Sequence, residues 1–202
     1  NLIIFDIGCY QGNFSRSLRK LLDKTAKFYL FDPNPSLKVR DFNIIQLAFS
    51  NKIKMQNYYV NLSFPAAGSS INTTMKDDKS WNFTRKLITG NLKKDYSKLN
   101  IKTNTLDNFC NKEQIKHITV LKIDAEGHDA EILEGAKIML KNTQFVQVEV
   151  LDAQKYYNKK FTKIKKILEK HNFRIIEKKN IWSVGLFSNL KACDLLFYKD
   201  SL

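Results

Sequence analysis

The sequence places four acidic residues where short apolar strands end: Asp6, Asp32, Asp124 and Glu126. Because parallel strands of one sheet share a carboxyl edge, we expect the four side chains to lie at the same rim. Like charges at short range repel, so a fold tolerates such a rim mainly when a cationic group binds there. The four residues therefore predict a site for a positively charged ligand.

A glycine turn, FDIGCYQGNFS at residues 5–15, begins this site. Gly8 and Gly12 lie between an apolar strand and a helix, where glycine lets the backbone approach a ligand and the helix offers free N–H groups. The dinucleotide fingerprint G-x-G-x-x-G fails here because Tyr10 takes the middle position, which disfavours an NAD-dependent oxidoreductase. Asp6 would repel a pyrophosphate and suits a cation or an ammonium group.

Asp32 follows the second predicted strand, about two dozen residues after the first glycine. An acid at this place in nucleotide-binding sheets accepts both ribose hydroxyls. The alternatives are that Asp6 caps a turn and that Asp32 is the N-cap of a short helix after Pro33. Taken together, the acids predict a nucleoside with a positively charged tail. S-adenosylmethionine fits, since it carries an adenosine, a sulfonium and an amino-acid end.

The elements that position these residues alternate along the chain, which predicts an α/β fold with a mainly parallel sheet. Predicted strands cover 2–7, 27–31, 43–49, 54–61, 102–106, 118–124, 144–151, 174–178 and 194–198. Predicted helices cover 13–22, a short stretch ending near 114, 128–141, and a lysine-rich stretch after 151. We expect one domain, residues 1–202, with a lid-like insertion at about 62–98.

The formal net charge of +14 is concentrated in the lysine-rich stretch, where residues 155–179 carry ten Lys or Arg against two Glu. Phe161, Ile164, Ile167 and Leu168 fall on one helical face there, so the lysines are interpreted as a solvated face. Binding to an acidic partner or a membrane surface is the alternative. Only five of the 34 basic residues are Arg, the usual reader of phosphate, which makes nucleic acid an unlikely partner.

Cys9, Cys110 and Cys193 are odd in number and widely spaced, which argues against a disulfide framework and a cysteine zinc site. The sequence has no apolar run of the roughly 18–20 residues that a membrane span needs. Residues 1–30 lack the pattern of a signal peptide. A reducing cytoplasm is the predicted location.

Five motifs then stand in the order and spacing of one family: FDIGCYQGNFS, FDPNP, LAFSN, NTLDNF and LKIDAEGHDAEILEGA. Over residues 2–150 the chain resembles the FkbM-family methyltransferases, with Cys9 in place of the usual Ala and Asp32 in place of the usual Glu. The resemblance implies a class I, Rossmann-like methyltransferase fold. Its seven-stranded, mostly parallel sheet has helices on both faces and an antiparallel last strand.

The resemblance also implies an S-adenosylmethionine-dependent O-methyltransferase that acts on a hydroxyl of a sugar or a secondary metabolite. The turn would wrap the methionine end, Asp32 would hold the ribose, and the end of the third strand would flank the adenine. Asp124 and Glu126 would face the methyl group or the acceptor. The predicted cofactor-binding residues are Asp6, Gly8, Cys9, Tyr10, Gln11, Gly12, Asn13, Phe14, Asp32, Pro33, Ala48, Phe49, Ser50 and Asp124.

A general base must take the proton of the acceptor hydroxyl, and the candidates are His128, Glu126 and Asp124. A helix start at His128 would lower its pKa through the helix dipole; the alternative is a surface residue. Asp124 and Glu126 also allow a Mg²⁺ site like that of catechol O-methyltransferase-like enzymes, which the spacing does not favour. Glu149 is a further candidate for acceptor contact.

The insertion offers an acceptor site for a small molecule or a glycan, built from Ser69, Ser70, Asn72, Trp81 and Phe83. Two other function classes stay open. A nucleic-acid methyltransferase would use the basic surface, although Asp124-Ala125-Glu126 stands where adenine-N6 enzymes carry [DNS]-P-P-[FYW]. A non-catalytic module that binds the cofactor is the other. The sequence does not predict the oligomeric state.

Overall fold

A computed structural model describes residues 1–62, 69–71, 96–153, 157–183 and 190–200 of the chain. The strands in this part are β1 (Ile3–Ile7), β2 (Lys27–Phe31), β3 (Ile44–Ile45), β4 (Ala48–Phe49), β5 (Met55–Asn61), β6 (Tyr96–Asn104), β7 (Ile118–Ile123), β8 (Thr143–Ala153), β9 (Arg174–Ser183) and β10 (Leu190–Tyr198). They form a seven-stranded main sheet, in the order β3-β2-β1-β7-β8-β10-β9, and a three-stranded second sheet, in the order β4-β6-β5.

The main sheet is mostly parallel. β1 pairs in parallel with β2 and β7, and β7 pairs in parallel with β8. The last strand, β10, runs antiparallel to both β8 and β9. This arrangement confirms the α/β fold and the antiparallel last strand, and it is consistent with a Rossmann-like methyltransferase. The near-continuous apolar sequence of β1 suits a strand that is covered on both faces. Helices on both faces of the sheet stay a prediction.

The described helices are α1 (Asn13–Arg19), α2 (Leu106–Lys112), α3 (Asp129–Glu134) and α4 (Tyr157–Lys170), with a 3₁₀ helix at Met139–Asn142. None of these described helices has the length and apolar content to cross a membrane. On α4, the four apolar residues predicted for one face pack in or against the core. Lys165, on the same helix, has a side chain that is 44% exposed.

The single helix predicted over 128–141 is wrong, because α3 ends before Gly135. At Gly135 a Cβ atom would lie 2.2 Å from the carbonyl oxygen of Ser50, so the chain passes too close to residue 50 for any side chain. The Asp107 carboxylate accepts the N–H groups of Ile138 and Met139 and starts the 3₁₀ helix with a cap of its own. The break therefore follows from one close approach and one cap.

The strand predicted over 43–49 is also divided. The Leu47 N–H donates to the Ile45 carbonyl at 2.8 Å, a tight turn that ends β3. The chain then enters the second sheet, where Ala48 of β4 pairs with Thr103 of β6. The sequence of residues 43–49 does not reveal this change of sheet, because the part that forms β3 and the part that forms β4 are equally apolar.

β6 begins at Tyr96 rather than at 102, so the last residues of the predicted insertion belong to a strand. Its antiparallel partner is β5, the added strand of the sequence analysis, and its parallel partner is β4. Thr105 ends the strand by capping α2, since its side chain accepts the Asn108 N–H at 3.1 Å. Residues 63–68 and 72–95 of the predicted insertion lie outside the described residues.

Aromatic rings join the two sheets. Phe31 at the end of β2 packs on Phe49 of β4, with ring centroids 4.9 Å apart, and on Phe109 of α2 at 5.1 Å. Phe5 of β1 packs on Phe31 at 5.1 Å. Edge and tilted contacts of this kind add to the free energy gained by burial. They fix β4 beside the carboxyl end of β2, where one wall of a cleft is formed.

Candidate functional site

A cleft opens at the carboxyl ends of β1, β2 and β7. Its open volume, including solvent at the mouth, is about 760 Å³. Both sheets and the segment 69–71 contribute walls. The lining consists of Ile7, Gly8, Tyr10, Phe31, Asp32, Pro33, Asn34, Leu37, Leu47, Ala48, Phe49, Tyr58, Ser69, Ser70, Ile71, Asp124, Ala125, Glu126, His128 and Ile132.

The cleft brings together about half of the residues that the sequence proposes for cofactor binding. Those in the lining are Gly8, Tyr10, Asp32, Pro33, Ala48, Phe49 and Asp124. Those outside the lining are Asp6, Cys9, Gln11, Gly12, Asn13, Phe14 and Ser50. All three candidate bases, Asp124, Glu126 and His128, line the cleft, as do Ser69 and Ser70. Asn72, Trp81 and Phe83 lie outside the described residues.

The first glycine of the turn is required by another segment of the chain. Gly8 has a φ of +75°, and a Cβ atom there would lie 1.8 Å from the Asp124 carbonyl oxygen. The Asp124 N–H donates to the Ile7 carbonyl at 2.9 Å, and the Gly8 N–H donates to the Phe31 carbonyl, also at 2.9 Å. Gly8 therefore lets the ends of the three central strands meet at the floor of the cleft.

Asp6 lies behind this turn and is fully buried. The Ser15 hydroxyl on α1 donates to Asp6 Oδ2 at 2.7 Å. The Lys122 ammonium lies 3.5 Å from Asp6 Oδ1. Among the described residues, this carboxylate is thus held by protein groups and does not reach the cleft surface.

Lys122 is the cation that sequence reasoning missed. It sits opposite Asp6 in the pairing of β1 with β7, and Asp124 follows two residues later on the same face. Its ammonium donates to Asp124 Oδ2 at 3.1 Å. Burial opposes the charge, but the Asp124 and Asp6 carboxylates raise the pKa of Lys122 above its ordinary value. Lys122 therefore serves as an internal counter-ion for two of the four predicted rim carboxylates, Asp6 and Asp124. The repulsion between these carboxylates alone does not require a bound cation.

Asp32 lines the cleft at the end of β2. Its Oδ1 accepts the Asn34 N–H at 2.9 Å, and its Oδ2 accepts the Tyr10 N–H at 3.3 Å. The short helix that Asp32 would cap in the alternative interpretation is wrong, because the chain forms turns between β2 and β3. Burial raises the pKa of Asp32 and the two N–H groups oppose the rise. A carboxylate accepts about four hydrogen bonds, so Asp32 has room for two further donors, which a ribose diol supplies.

The acidic turn after β7 has an uncommon backbone. Glu126 has a φ of 51° and Gly127 a φ of 90°, and a non-glycine residue in this region costs about 1–2 kcal/mol. Asp129 holds the turn from below, because its carboxylate accepts the N–H groups of Ala125 at 2.9 Å and Gly127 at 3.1 Å. Burial raises the pKa of Asp129 to about 7.

The carbonyl groups of the same turn are held from outside the main sheet. The Ser70 hydroxyl donates to the Ala125 carbonyl at 3.0 Å. The Lys160 ammonium, from the lysine-rich helix α4, donates to the Gly127 carbonyl at 3.1 Å. Lys160 therefore stabilises the acidic turn beside the cleft, whereas the sequence analysis interprets the lysines of this helix as a solvated face.

His128 closes the acidic turn and is buried. Its Nε2 lies 3.0 Å from Ser50 Oγ, and its Nδ1 lies 3.8 Å from Glu131 Oε2. Burial lowers the pKa of His128, Glu131 opposes the change, and nearby lysines such as Lys54 add to it. The sequence predicts a lowered pKa from a helix dipole; in the structure burial is the larger cause and α3 has only six residues.

Glu149 lies beside Asp124, because β7 and β8 pair in parallel with Ile123 opposite Val148. Burial first, and then the charges of Asp124 and Glu126 and a hydrogen bond with Asp124, raise the pKa of Glu149 to about 10. Glu149 is therefore a neutral carboxylic acid at neutral pH. It supports Asp124 from behind the cleft wall.

Tyr58 of β5 is a second residue that sequence reasoning missed. It is buried and lines the cleft from the second sheet. It belongs to the stretch 54–61 that the sequence predicts as a strand, but the sequence does not indicate which face of that strand meets the site. Within the described ranges, no group of three or more His, Cys, Asp or Glu side chains is arranged to hold a metal ion.

Comparison with known proteins connects this cleft to a family. The family model described as "Methyltransferase FkbM domain" matches residues 6–175. A curated relative, the 2-O-methyltransferase NoeI of Sinorhizobium fredii (strain NBRC 101917 / NGR234), is 22% identical over 175 residues, which cover 76% of this chain. The chain spans about 65% of the length of NoeI. On the family match, which takes in the glycine turn, Asp32 and the acidic turn, the chain belongs to the FkbM methyltransferase family.

Proposed function

We propose that this protein is an S-adenosylmethionine-dependent O-methyltransferase that acts on a hydroxyl of a sugar or a secondary metabolite. The observation that carries the proposal is the position of Asp32 in the cleft, with two hydrogen-bonding sites still open to a nucleoside diol. Membership of the FkbM methyltransferase family supports the reaction class. The printed name of the relative NoeI, a 2-O-methyltransferase, supports oxygen as the acceptor atom.

In this proposal the cofactor lies along the carboxyl edge of the main sheet. Asp32 holds the ribose, and the apolar residues Ala48 and Phe49 flank the adenine. Gly8 and Tyr10 contact the methionine end, and Asp124 faces the positively charged sulfur. The remaining turn residues support the site from behind: Asp6, Cys9, Gln11, Gly12, Asn13 and Phe14. Pro33 and Ser50 border it.

The bound cofactor supplies a methyl group on a positively charged sulfur. The chain has to align the acceptor oxygen with that methyl group and remove the hydroxyl proton. Alignment alone can lower the barrier by several kcal/mol, and a positioned base adds a factor on the order of 10²–10⁴. We assign proton acceptance to the acidic turn, Asp124 and Glu126, ahead of His128. Both ring nitrogens of His128 face protein groups, Ser50 and Glu131.

The proposal contains no metal step. Asp124 Oδ2 already accepts a hydrogen bond from the Lys122 ammonium, which would compete with a metal ion for that oxygen. We further propose one domain over 1–202, the class I arrangement with helices on both faces, and a cytoplasmic location. The segment at about 62–98 would act as the lid on the acceptor side, with Ser69 and Ser70 at its entrance.

Calorimetric titration with S-adenosylhomocysteine, with and without Mg²⁺ and with NAD as a control, tests the cofactor. Micromolar binding of S-adenosylhomocysteine, unchanged by Mg²⁺ and without NAD binding, is expected. Labelled methyl transfer from S-adenosylmethionine to a panel of free sugars, glycans and RNA then tests the acceptor. Transfer to RNA alone would contradict the proposed acceptor, and no binding of S-adenosylhomocysteine would contradict the proposed activity.

A further inference from the structure

Tyr58 is presented to the cleft by the second sheet. β5 pairs antiparallel with β6 from Met55 to Asn61, and Tyr58 lies opposite Leu99. Side chains alternate between the two faces of a strand, so Tyr58 and its neighbour Tyr59 point to opposite faces. Tyr58 is 4% exposed and lines the cleft, whereas Tyr59 is not part of the described lining.

The phenol of Tyr58 is held in place by Ser69. The Asn61 N–H donates to Ser69 Oγ at 2.9 Å, which fixes the serine oxygen against β5. The Ser69 side chain in turn hydrogen-bonds the Tyr58 phenol. A buried tyrosine that has such a support presents a rigid polar group to the cleft.

Two acidic residues of the cleft lie near this phenol. Burial raises the pKa of Tyr58, and the charges of Asp32 and then Glu126 add to the rise. The phenol is therefore a neutral O–H group close to the carboxylate that we assign to the ribose. When ribose hydroxyls donate to a carboxylate, their oxygens still accept hydrogen bonds, and a neutral O–H group can supply one.

We infer that the Tyr58 hydroxyl donates a hydrogen bond to a ribose hydroxyl of the bound adenine nucleoside, and so completes the recognition of the diol that begins at Asp32. This inference rests on the proposed function. It assigns a role in cofactor specificity to a residue of the second sheet, outside the five sequence motifs of the family. Asp32 and Tyr58 together would distinguish ribose from either deoxyribose.

Competition against S-adenosylhomocysteine tests the inference, with adenosine, 2′-deoxyadenosine and 3′-deoxyadenosine as the competitors. The variants are Tyr58→Phe and the matched control Tyr59→Phe, which removes the same hydroxyl from the opposite face of the strand. Ser69→Ala is a second variant, because it removes the support of the phenol without changing Tyr58. Thermal melting of each variant reports the fold separately from binding.

The wild type is expected to bind adenosine about tenfold more tightly than each deoxynucleoside. In Tyr58→Phe the preference over one of the two deoxynucleosides falls about fivefold, while the ring still packs. Ser69→Ala moves the same preference in the same direction, and Tyr59→Phe leaves both preferences unchanged. If Tyr58 had only a structural role, Tyr58→Phe would weaken the binding of all three nucleosides equally, and the ratios between their affinities would not change.

Unchanged ratios in Tyr58→Phe, with S-adenosylhomocysteine still bound, would overturn the inference and leave the proposed function standing. Should Tyr58→Phe fail to fold, unchanged ratios in Ser69→Ala would overturn it instead. A wild type that binds no S-adenosylhomocysteine would overturn the proposed function, and the inference with it.

Discussion

The Lys122 ammonium lies 3.1 Å from Asp124 Oδ2, and this contact connects the interior of the main sheet to the surface of the cleft. Asp124 is a lining residue, whereas Lys122 stands one step behind it with a side chain that is only 13% exposed. Asp6 completes the group from β1. The charge that faces a ligand at Asp124 is therefore set partly by a residue that no ligand needs to touch.

Replacing Lys122 with Met should lower the free energy of unfolding by about 3 kcal/mol, because the change leaves the buried Asp6 carboxylate without its cation. Lys122→Arg should restore part of the loss, since it keeps the charge. Urea denaturation at pH 7 measures both. Lys165→Met, on the exposed side of α4, is the control and should change the free energy by less than about 0.5 kcal/mol. Equal effects at the two lysines would refute the structural role of Lys122.

Gly8→Ala should destabilise the protein by about 3 kcal/mol or prevent folding. The methyl group would meet the Asp124 carbonyl oxygen, and the positive φ adds further strain. The yield of soluble protein and the melting temperature measure the effect. Gln11→Ala, at an exposed position of the same turn, serves as the control. A Gly8→Ala protein as stable as the wild type would show that the turn and β7 do not approach each other as described.

Glu149→Gln should be tolerated, because the pKa of Glu149 is raised to about 10 and the side chain is a neutral acid at pH 7. In the unfolded chain this group ionises near its ordinary pKa of 4.5. Its contribution to stability is therefore full below pH 4.5 and declines as the pH rises towards 10. Glu149→Gln does not titrate, so it should gain stability relative to the wild type between pH 5 and pH 9.

Chemical denaturation at pH 5, 7 and 9 measures the difference in free energy of unfolding between Glu149→Gln and the wild type. This difference should change by at most about 1.4 kcal/mol per pH unit. Glu149→Ala is the contrasting variant. It removes the group that hydrogen-bonds Asp124 and should lose about 1–3 kcal/mol at pH 5. A Glu149→Gln protein that loses stability relative to the wild type as the pH rises would refute the assignment of the proton to Glu149.

Asp32→Asn should weaken S-adenosylhomocysteine binding about 10- to 100-fold while leaving the fold intact. The amide keeps one oxygen for the backbone but loses the charge-assisted hydrogen bonds to the ribose. Calorimetry measures the affinity. Asp23→Asn is the control, since Asp23 is an exposed acid that accepts the Thr25 N–H at 2.8 Å. Equal affinities for the wild type and Asp32→Asn would remove the observation on which the proposed function depends.

Sequence patterns predict the strands β1, β2 and β7 because each is a short, largely apolar run followed by a polar turn. They also bring Asp32, Asp124, Glu126 and His128 to one cleft, since these residues follow strands that end at the same edge. Three of the family motifs meet at Gly8, which approaches Asp124 and donates its N–H to the Phe31 carbonyl.

Other features depend on contacts that a local pattern does not contain. The division between β3 and β4 depends on pairing with β6, more than fifty residues away. The end of α3 depends on the close approach of Gly135 to Ser50. The role of Lys122 depends on its register with Asp6, and an alternating Leu-Lys-Ile-Asp sequence would look the same on an exposed strand.

The two-sheet construction of the cleft has a consequence for how such a protein can diverge. One wall comes from the second sheet, whose strands fall within residues 48–104 of the chain, whereas the opposite wall comes from the ends of β1, β2 and β7. Recombination on either side of that stretch would exchange a whole wall in one event, with the parallel strands and their glycine turn inherited intact. New specificities would then arise by transfer of a block of chain rather than by accumulation of single substitutions.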